Sequence, residues 1–304
     1  MRGGRVGAAR QHSGMGFVAT QLANGLAYGA LLFLMSAGLS LIFGLMNVVN
    51  VAHGSFFMLG AFFALAIVKW TGSFWLALAV SWIPAVAIGV LLERVFIRKL
   101  YARGHLDQVL LTFGFTFVFV DLVRMIWGAD IRELPVPEIL SGVIAFGDVV
   151  LPKYRLFLIA FGGATAFLLW LFLERSRVGA MVRAGVDDAF TAKGIGINVP
   201  LLFAVIFGLG VGLAAIGGTV AGPILGLYPG MDIEILIPAF IVVVIGGMGS
   251  LRGAFVASIF VGVVDTFGKA YFPDFALFVV YLLMVVVLLT RPNGLFGVAR
   301  HDCA

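Results

Sequence analysis

The sequence has a single cysteine among its 304 residues, Cys303 near the C-terminal end. One cysteine allows neither a disulfide within the chain nor a cysteine-based metal site. Charge is also scarce, since Asp, Glu, Lys and Arg make up 12% of the residues while hydrophobic residues make up 62%. A typical globular chain has about 25% charged residues and about 45–50% apolar ones. The composition therefore excludes an ordinary water-soluble protein and predicts an integral membrane protein.

Sequence motifs for catalysis and nucleotide binding are missing as well. The closest approach to a phosphate-binding loop GxxxxGK[ST], residues 262–270, has one residue too many and no Ser or Thr after the lysine. HExxH, GxSxG and CxxC do not occur, and the four histidines are spread along the chain without metal-ligand spacing. We therefore expect no enzymatic activity, no cofactor and no metal. Active transport would need an ion gradient or a separate ATPase subunit.

Nine apolar segments account for most of the chain. A transmembrane helix needs about 20 residues, with a range of about 17–25. Most segments reach this length alone: 17–46, 54–69, 74–92, 106–127, 155–173, 201–221, 233–248, 251–268 and 274–290. They predict an all-α, polytopic membrane bundle with nine or ten crossings, built as one domain over residues 1–304. The 40 glycines suit close helix contacts in such a bundle.

Basic residues between the segments predict the orientation. The positive-inside rule places three groups in the cytoplasm, namely Arg94, Arg98, Lys99 and Arg103; Arg175, Arg177, Arg183 and Lys193; and Arg252, Arg291 and Arg300. Because these residues are scattered between apolar spans, the net charge of +5 does not indicate nucleic-acid binding. A cytoplasmic N-terminus, suggested by Arg2, Arg5 and Arg10, requires ten crossings and a split first segment. An external N-terminus requires nine, and a cleaved signal peptide is a less favoured alternative.

A polar break interrupts the apolar sequence within residues 38–61, GLSLIFGLMNVVNVAHGSFFMLGA. The break carries Asn47, Asn50, His53, Gly54 and Ser55. Polar groups are costly in lipid and are tolerated where they are buried in protein or line a cavity. We predict a discontinuous helix here, in the N-terminal third of the chain. Its polar residues either satisfy the broken helix ends or line a translocation path, and proton coupling by His53 is a minor alternative.

A second motif is the polar segment 174–200, ERSRVGAMVRAGVDDAFTAKGIGINVP, between two spans. Its residues 181–193 predict a short amphipathic helix that ends at Gly194. A short cytoplasmic helix with small and charged side chains suits docking into the groove of a partner protein. A solvated loop with an interfacial helix is the alternative.

Further polar and small residues have simpler interpretations. The run GGMGSLRG predicts helix packing rather than substrate contact, through Gly246, Gly247, Gly249 and Gly253, of which the last two have GxxxG spacing. The pairs Asp121/Arg124 and Asp265/Lys269 have helical spacing and are interpreted as structural ion pairs. Asp232 and Glu234 precede an apolar segment, where they either complement the dipole at a helix N-terminus or line an outer vestibule.

These motifs, with the closing RPNGLFG of residues 291–297, resemble the LivH-type permeases of branched-chain amino acid ABC importers. The four motifs occur in the family's order and extend over nearly the whole chain. The resemblance implies a bacterial inner-membrane permease whose translocation path is powered by other subunits. It implies a coupling helix within 174–200 that meets an ATP-binding subunit, with Arg183, Ala184, Asp187, Asp188, Ala192, Lys193 and Gly194 as its site residues. The implied partners are a LivM-like sister permease, two LivG/LivF-like ABC ATPase subunits and a periplasmic substrate-binding protein.

One departure from the family concerns the substrate. Many members have an acidic residue after the AHG triplet, where this chain has Ser55. The candidate substrates are therefore branched-chain amino acids, other amino acids, urea or short amides, and aromatic acids. The alternative classes of protein are a stand-alone secondary transporter and a small-solute channel. The segment 174–200 argues against both, because neither class needs a docking helix for an ATPase. The resemblance implies a heterodimer, although pairing with a second copy stays open.

Overall fold

The computed structural model describes residues 14–101, 103–146, 149–187 and 189–297. Within these residues the chain is mostly helical, with one short β-hairpin and three 3-10 turns. The helices are α1 (Gly14–Met46), α2 (His53–Thr71), α3 (Phe74–Val80), α4 (Trp82–Val95), α5 (His105–Trp127), α6 (Lys153–Arg175), α7 (Arg177–Asp187), α8 (Ala189–Gly194), α9 (Val199–Leu225), α10 (Met231–Gly246), α11 (Leu251–Tyr271) and α12 (Ala276–Thr290). The hairpin pairs β1 (Val143–Phe146) with β2 (Val149–Pro152) in antiparallel register.

Seven helical stretches in the described chain are long and apolar enough to cross a membrane, so the protein is a multi-pass membrane protein. Every one of the nine predicted segments contains a helix, but α10 has 16 residues and α12 has 15. Both are shorter than the span of about 20 residues that a hydrocarbon core requires. The predicted count of nine or ten crossings is therefore not confirmed.

The split of the first segment that ten crossings would require is not present, because α1 is one uninterrupted helix of 33 residues. Gln21 and Asn24 lie within this helix. In the structure the Asn24 side chain contacts Gln21 at 3.4 Å, and Arg155 of α6 donates a hydrogen bond to its amide oxygen. Because these polar side chains find partners along and beside the helix, they do not break it.

The core lies where α1 and α9 cross at the centre of the bundle. Glycines allow the two backbones to touch: a Cβ atom on Gly38 would lie 2.4 Å from the carbonyl oxygen of Gly210. On another face of α1, Gly25 and Gly29 contact the backbone of α11, and a Cβ on either would come within 3 Å of it. Such contacts replace the hydrophobic driving force that is absent between helices in lipid. The predicted role of glycine in close packing is visible here.

The two ends of the bundle differ in charge. At one end, called here the basic end, Arg98 donates to Pro200 O at the start of α9 (3.1 Å). At the same end, Arg252 at the start of α11 pairs with Glu174 at the end of α6 (3.4 Å). The opposite end, called here the hairpin end, carries the β-hairpin and a bridge between Arg132 and Leu227. The basic clusters used to predict the cytoplasmic side therefore share one end.

Residues 181–193, predicted as one amphipathic helix, are helical in α7 and in α8, on either side of residue 188, which lies outside the described residues. The first begins four residues earlier than predicted because Ser176 caps it, its hydroxyl accepting a bond from the amide of Gly179 at 3.0 Å. The second ends at Gly194, as predicted. Ser176 is a residue type that commonly caps helices, but the apolar spacing alone placed the start of the helix at residue 181.

Candidate functional site

The chain reverses direction in the six residues between α1 and α2. Asn47 ends α1 with a positive φ of 53°, a conformation that asparagine tolerates better than most residues. The amides of Val49 and Val51 then find acceptors in α5, in the side chains of Gln108 (3.3 Å) and Thr112 (3.1 Å). The side chains of α5 thus satisfy backbone groups that a continuous helix would have satisfied internally.

His53, the first residue of α2, fixes how far the chain turns back. Its Nε2 lies 3.2 Å from the carbonyl oxygen of Met35, and because a carbonyl can only accept, Nε2 is the donor. Met35 lies eleven residues before the end of α1, about 16 Å along the helix axis. Helix α2 therefore begins deep inside the bundle and not at its surface. The prediction of one discontinuous helix is replaced by two antiparallel helices joined by a re-entrant turn.

The N-terminus of α10 meets the N-terminus of α2 at this depth. The Ser55 hydroxyl donates to Asp232 Oδ2 at 2.8 Å, and Gly54 packs so closely that a Cβ would lie 2.4 Å from the Asp232 carbonyl oxygen. Asp232 is buried, with 1% of its surface exposed. A carboxylate suits this position because helix N-termini carry positive partial charge.

Several buried polar atoms around this meeting point have no hydrogen-bond partner within the described protein. They are Ser40 Oγ, both amide atoms of Asn50, His53 Nδ1 and Asp232 Oδ1. Buried polar groups are nearly always paired, since leaving one unpaired costs about 1–3 kcal/mol. We call this cluster, which lies beside two helix N-termini, the polar junction.

The structure brings together four of the five residues predicted for the break. Asn50, His53, Gly54 and Ser55 are all buried at the junction. The fifth, Asn47, lies apart and exposed at the basic end, with its amide nitrogen 3.5 Å from the ring of His105.

Sequence reasoning did not join the break to its partners on other helices. Asp232 belongs to the polar junction, whereas the sequence suggested a helix-dipole or vestibule role. Gln108 and Thr112 carried no signal beyond being polar in an apolar segment.

Residues 174–200, called here the coupling segment for their predicted role, differ in how far their candidate residues reach the surface. The Arg183 side chain is half exposed, and its Nη1 donates to the carbonyl of Leu173 in the last turn of α6. Ala192 is buried and Ala184 is half-buried. Asp187 is the final residue of α7, while Asp188 lies outside the described residues.

What α7 and α8 leave exposed is partly apolar. Met181 has 37% of its surface exposed and Ile195, just after α8, has 71%. Lys193 and Gly194 between them are exposed as well. The sequence had pointed to the charged and small residues instead.

Beside the coupling segment, a buried ion pair ties α4 to the start of α9. Arg98 binds both carboxylate oxygens of Glu93 at 2.9 and 3.0 Å, and the Tyr101 hydroxyl donates to the same carboxylate at 2.7 Å. Glu93 is fully buried. Burial, and next the bond to Glu93, raises the pKa of Tyr101 far above its ordinary range, so its hydroxyl stays a donor. This network links the end of α4 to the start of α9 at the basic end, and α7 and α8 contact α9 there.

The glycine run forms a turn and not a helix face. Gly247 and Gly249 have φ of 97° and 83°, in the left-handed region, and Gly249 contacts Gly44 at the end of α1. The expected GxxxG pair on one helix is therefore wrong. Gly253, in the first turn of α11, would place a Cβ 2.0 Å from the carbonyl of Gly246. These four glycines hold α1, α10 and α11 together at the basic end.

No group of three His, Cys, Asp or Glu side chains that could hold a metal ion occurs among the described residues. The junction contributes one carboxylate, one imidazole, an amide and two hydroxyls.

Comparison with known proteins agrees with this architecture. Residues 21–288 match the family described as the permease component of the branched-chain amino acid transport system. BraD of Pseudomonas aeruginosa, a high-affinity branched-chain amino acid transport system permease protein, is 31% identical over 91% of this chain and 95% of its own length. LivH of Escherichia coli K12 is 26% identical over 91% of this chain and 94% of its own length. LivM of the same strain is 24% identical over 88% of this chain and 68% of its own length. This chain therefore belongs to the family of permease components of branched-chain amino acid transport systems.

Proposed function

We propose that this chain is the membrane-spanning permease subunit of an ABC importer for branched-chain or closely related amino acids. The observation that carries the proposal is the match over nearly the whole length of the chain, both to the family and to BraD, a high-affinity branched-chain amino acid transport system permease protein. The polar junction and the coupling segment supply parts that a permease needs, namely a polar interior and a surface for a partner.

The proposal implies an assembly of several chains. The likeness to LivM as well as to LivH supports a sister permease of related fold. Two ATPase subunits would supply the energy, since the sequence has no phosphate-binding loop. A periplasmic binding protein would deliver the substrate. Urea, amides and aromatic acids are the alternative substrates, supported by the Ser55 departure.

We assign ATPase contact to the surface formed by Met181, Lys193, Gly194 and Ile195. Two observations support this. These residues are exposed at the basic end, and α7 is anchored to the bundle through buried Val182 and the Arg183 bond to Leu173. A helix that is packed against the bundle can transmit a displacement caused by a partner protein to the helices it contacts.

We assign the conformational change to the polar junction. Its unpartnered groups cost free energy in this state, and they would be satisfied in a state where water or substrate reaches them. Two helix N-termini that meet inside the bundle are also typical of secondary transporters. That feature supports the stand-alone transporter as the second candidate, and energy dependence separates the two.

We also infer nine passes with residue 14 at the hairpin end, outside the cell. The nine helical segments alternate in direction, with α3 and α4 together forming one pass. The chain after α12 returns to the basic end, where Leu295 N donates to Ile245 O at 2.8 Å.

Uptake of radiolabelled leucine, isoleucine and valine tests the proposed function. The host strain lacks its own branched-chain uptake and expresses this chain with its genomic neighbours. We expect uptake that disappears when this chain alone is omitted. Uptake of urea or benzoate, and not of leucine, would show that the assigned substrate class is wrong.

A further inference from the structure

A cavity of about 520 Å³ opens between α1, α9, α10, α11 and α12. Tyr28, on its α1 wall, lies eighteen residues before the end of that helix, about 27 Å from the basic end, whereas Ile241, on its α10 wall, lies five residues before the end of α10, about 8 Å from its C-terminus. The cavity therefore extends over much of the depth of the bundle. Its size falls in the range of small-molecule sites, about 300–1,000 Å³.

Charged groups of both signs reach this cavity. Lys269 donates to Asp265 Oδ2 at 2.6 Å, and its ammonium lies 5.2 Å from the centre of the Tyr28 ring. Asp265 is 9% exposed in its side chain, whereas the Lys269 side chain is 57% exposed, which leaves its ammonium accessible. A lysine ammonium has three donors, so one hydrogen bond to Asp265 does not exhaust it.

Glu234 of α10 supplies a second carboxylate to the lining. The Tyr228 hydroxyl donates to it. Burial, followed by this hydrogen bond, raises the pKa of Tyr228 to about 12, so the hydroxyl stays protonated and orients the carboxylate. Glu234 is itself exposed and has no ion-pair partner among the described residues.

The rest of the lining is mostly aliphatic. It includes Leu225, Met231, Ile235, Ile237, Pro238, Ile241, Val261 and Val280, together with the ring of Tyr281. A ligand that combines an apolar body with a positive and a negative group matches this lining. An α-amino acid with an aliphatic side chain has this chemistry, whereas urea lacks both charges and the apolar body.

The cavity also adjoins the polar junction. Met231 and Ile235 of α10 line it, and they flank Asp232, whose carboxylate accepts the Ser55 bond on the other side. A solute in the cavity would be separated from the junction by the N-terminal turn of α10 alone.

We propose that this cavity is a transit site that binds a zwitterionic aliphatic amino acid, with its carboxylate at Lys269, its ammonium at Glu234 and Asp265, and its side chain against the isoleucines and valines. The inference rests on the proposed function and gives it a location. The Asp265–Lys269 pair, interpreted from sequence as purely structural, acquires a binding role.

Protection of a single cysteine tests the site directly. Ile237, which lines the cavity and is 42% exposed, is replaced by cysteine in a chain carrying Cys303→Ser. The assembled transporter in proteoliposomes is treated with N-ethylmaleimide, and alkylation of this chain is followed by mass spectrometry. We expect leucine to slow alkylation of the cysteine at 237. A cysteine at Ile126, 66% exposed on α5, is the matched control and should not respond.

Variants test the assigned contacts. Glu234→Gln keeps an acceptor for Tyr228 and removes the charge, so it should fold normally and raise the leucine concentration for half protection about tenfold. Glu138→Gln, an exposed glutamate at the hairpin end, should leave it unchanged. Lys269→Gln should abolish protection by leucine, and Lys269→Arg should restore it. Leucinamide, which lacks the carboxylate, should protect poorly.

The outcomes separate this inference from the function on which it rests. Leucine uptake by the intact transporter together with no protection at 237 would overturn the site and leave the function standing, as expected if a lipid chain fills the cavity. Protection that survives both Glu234→Gln and Lys269→Gln would also overturn the assigned contacts. A transporter that carries no aliphatic amino acid would overturn the function and the site together.

Discussion

At Asp232 a carboxylate lies inside the protein with the Ser55 hydroxyl on one oxygen and no partner for the other. The positive partial charge at the N-terminus of α10 stabilises the carboxylate, whereas burial disfavours its charged form. We expect this buried charge to serve transport and not packing alone.

Asp232→Asn therefore separates stability from transport. The amide keeps an acceptor for Ser55 but carries no charge, so we expect an unchanged or higher Tm and a fall in leucine uptake of about tenfold. His53→Gln is the control at the same junction, because glutamine can still donate to Met35 O; it should retain appreciable uptake. Normal transport by Asp232→Asn would show that the junction is only structural.

Glycines at helix crossings give a prediction about stability alone. A Cβ would lie 2.4 Å from Asp232 O at Gly54 and 2.2 Å from Ala215 O at Gly60, whereas nothing lies within 4 Å at Gly114 of α5. We expect Gly54→Ala and Gly60→Ala to lower the free energy of unfolding by about 1–3 kcal/mol, and Gly114→Ala to leave it unchanged or raise it. Thermal unfolding of the purified protein measures this. Equal Tm values for all three variants would contradict the packing described.

At the scale of elements, the re-entrant turn shows how much the sequence could predict. Asn47 to Ser55 stood out because polar residues interrupt an apolar run, and the structure has its break there. The direction of the chain after the break depends on acceptors from α5, the side chains of Gln108 and Thr112, which lie about 60 residues away in sequence. No local pattern encodes such a partner.

The first helix and the segment 174–200 show two further limits of the sequence. The length of the first apolar segment left open a split that α1 does not have. The start of α7 at Arg177 follows from the Ser176 cap and not from the apolar spacing. Ala192, suggested as a contact by its small size, is buried by tertiary packing.

The coupling surface makes a prediction at this scale. Ile195→Asp should leave the protein in the membrane, since the residue is 71% exposed, and should weaken ATPase contact by placing a charge in an apolar interface. We expect co-purification with the ATPase subunits and stimulation of ATP hydrolysis by loaded binding protein to fall together. Ile139→Asp, at a residue 75% exposed near the hairpin end, is the matched control. Full stimulation of ATP hydrolysis in the Ile195→Asp variant would show that this surface does not contact the ATPase.

For the whole molecule, the alternating helices predict which residues face which side of the membrane. In a Cys303→Ser background, a cysteine at Met15, 84% exposed, should react with a membrane-impermeant maleimide in intact spheroplasts. A cysteine at Ile195 should react only after permeabilisation. Labelling of Met15→Cys only after permeabilisation would instead favour the cytoplasmic N-terminus that Arg2, Arg5 and Arg10 suggested.

The substrate is the property that the sequence predicts least well, because the cavity forms only in the whole molecule. The membrane class follows from composition, and the family follows from motifs spread over nearly the whole chain. The cavity is assembled from α1, α9, α10, α11 and α12, so its charged groups, Glu234, Asp265 and Lys269, are neighbours only in the fold.

The energy source of transport tests the central claim most directly. The purified transporter, with this chain, its sister permease and its ATPase subunits, is reconstituted into proteoliposomes, and radiolabelled leucine is supplied with the binding protein outside. We predict that leucine accumulates only when ATP is enclosed inside and the binding protein is present, and that a proton ionophore has no effect. Accumulation without ATP that the ionophore abolishes would contradict the account and identify a secondary transporter instead.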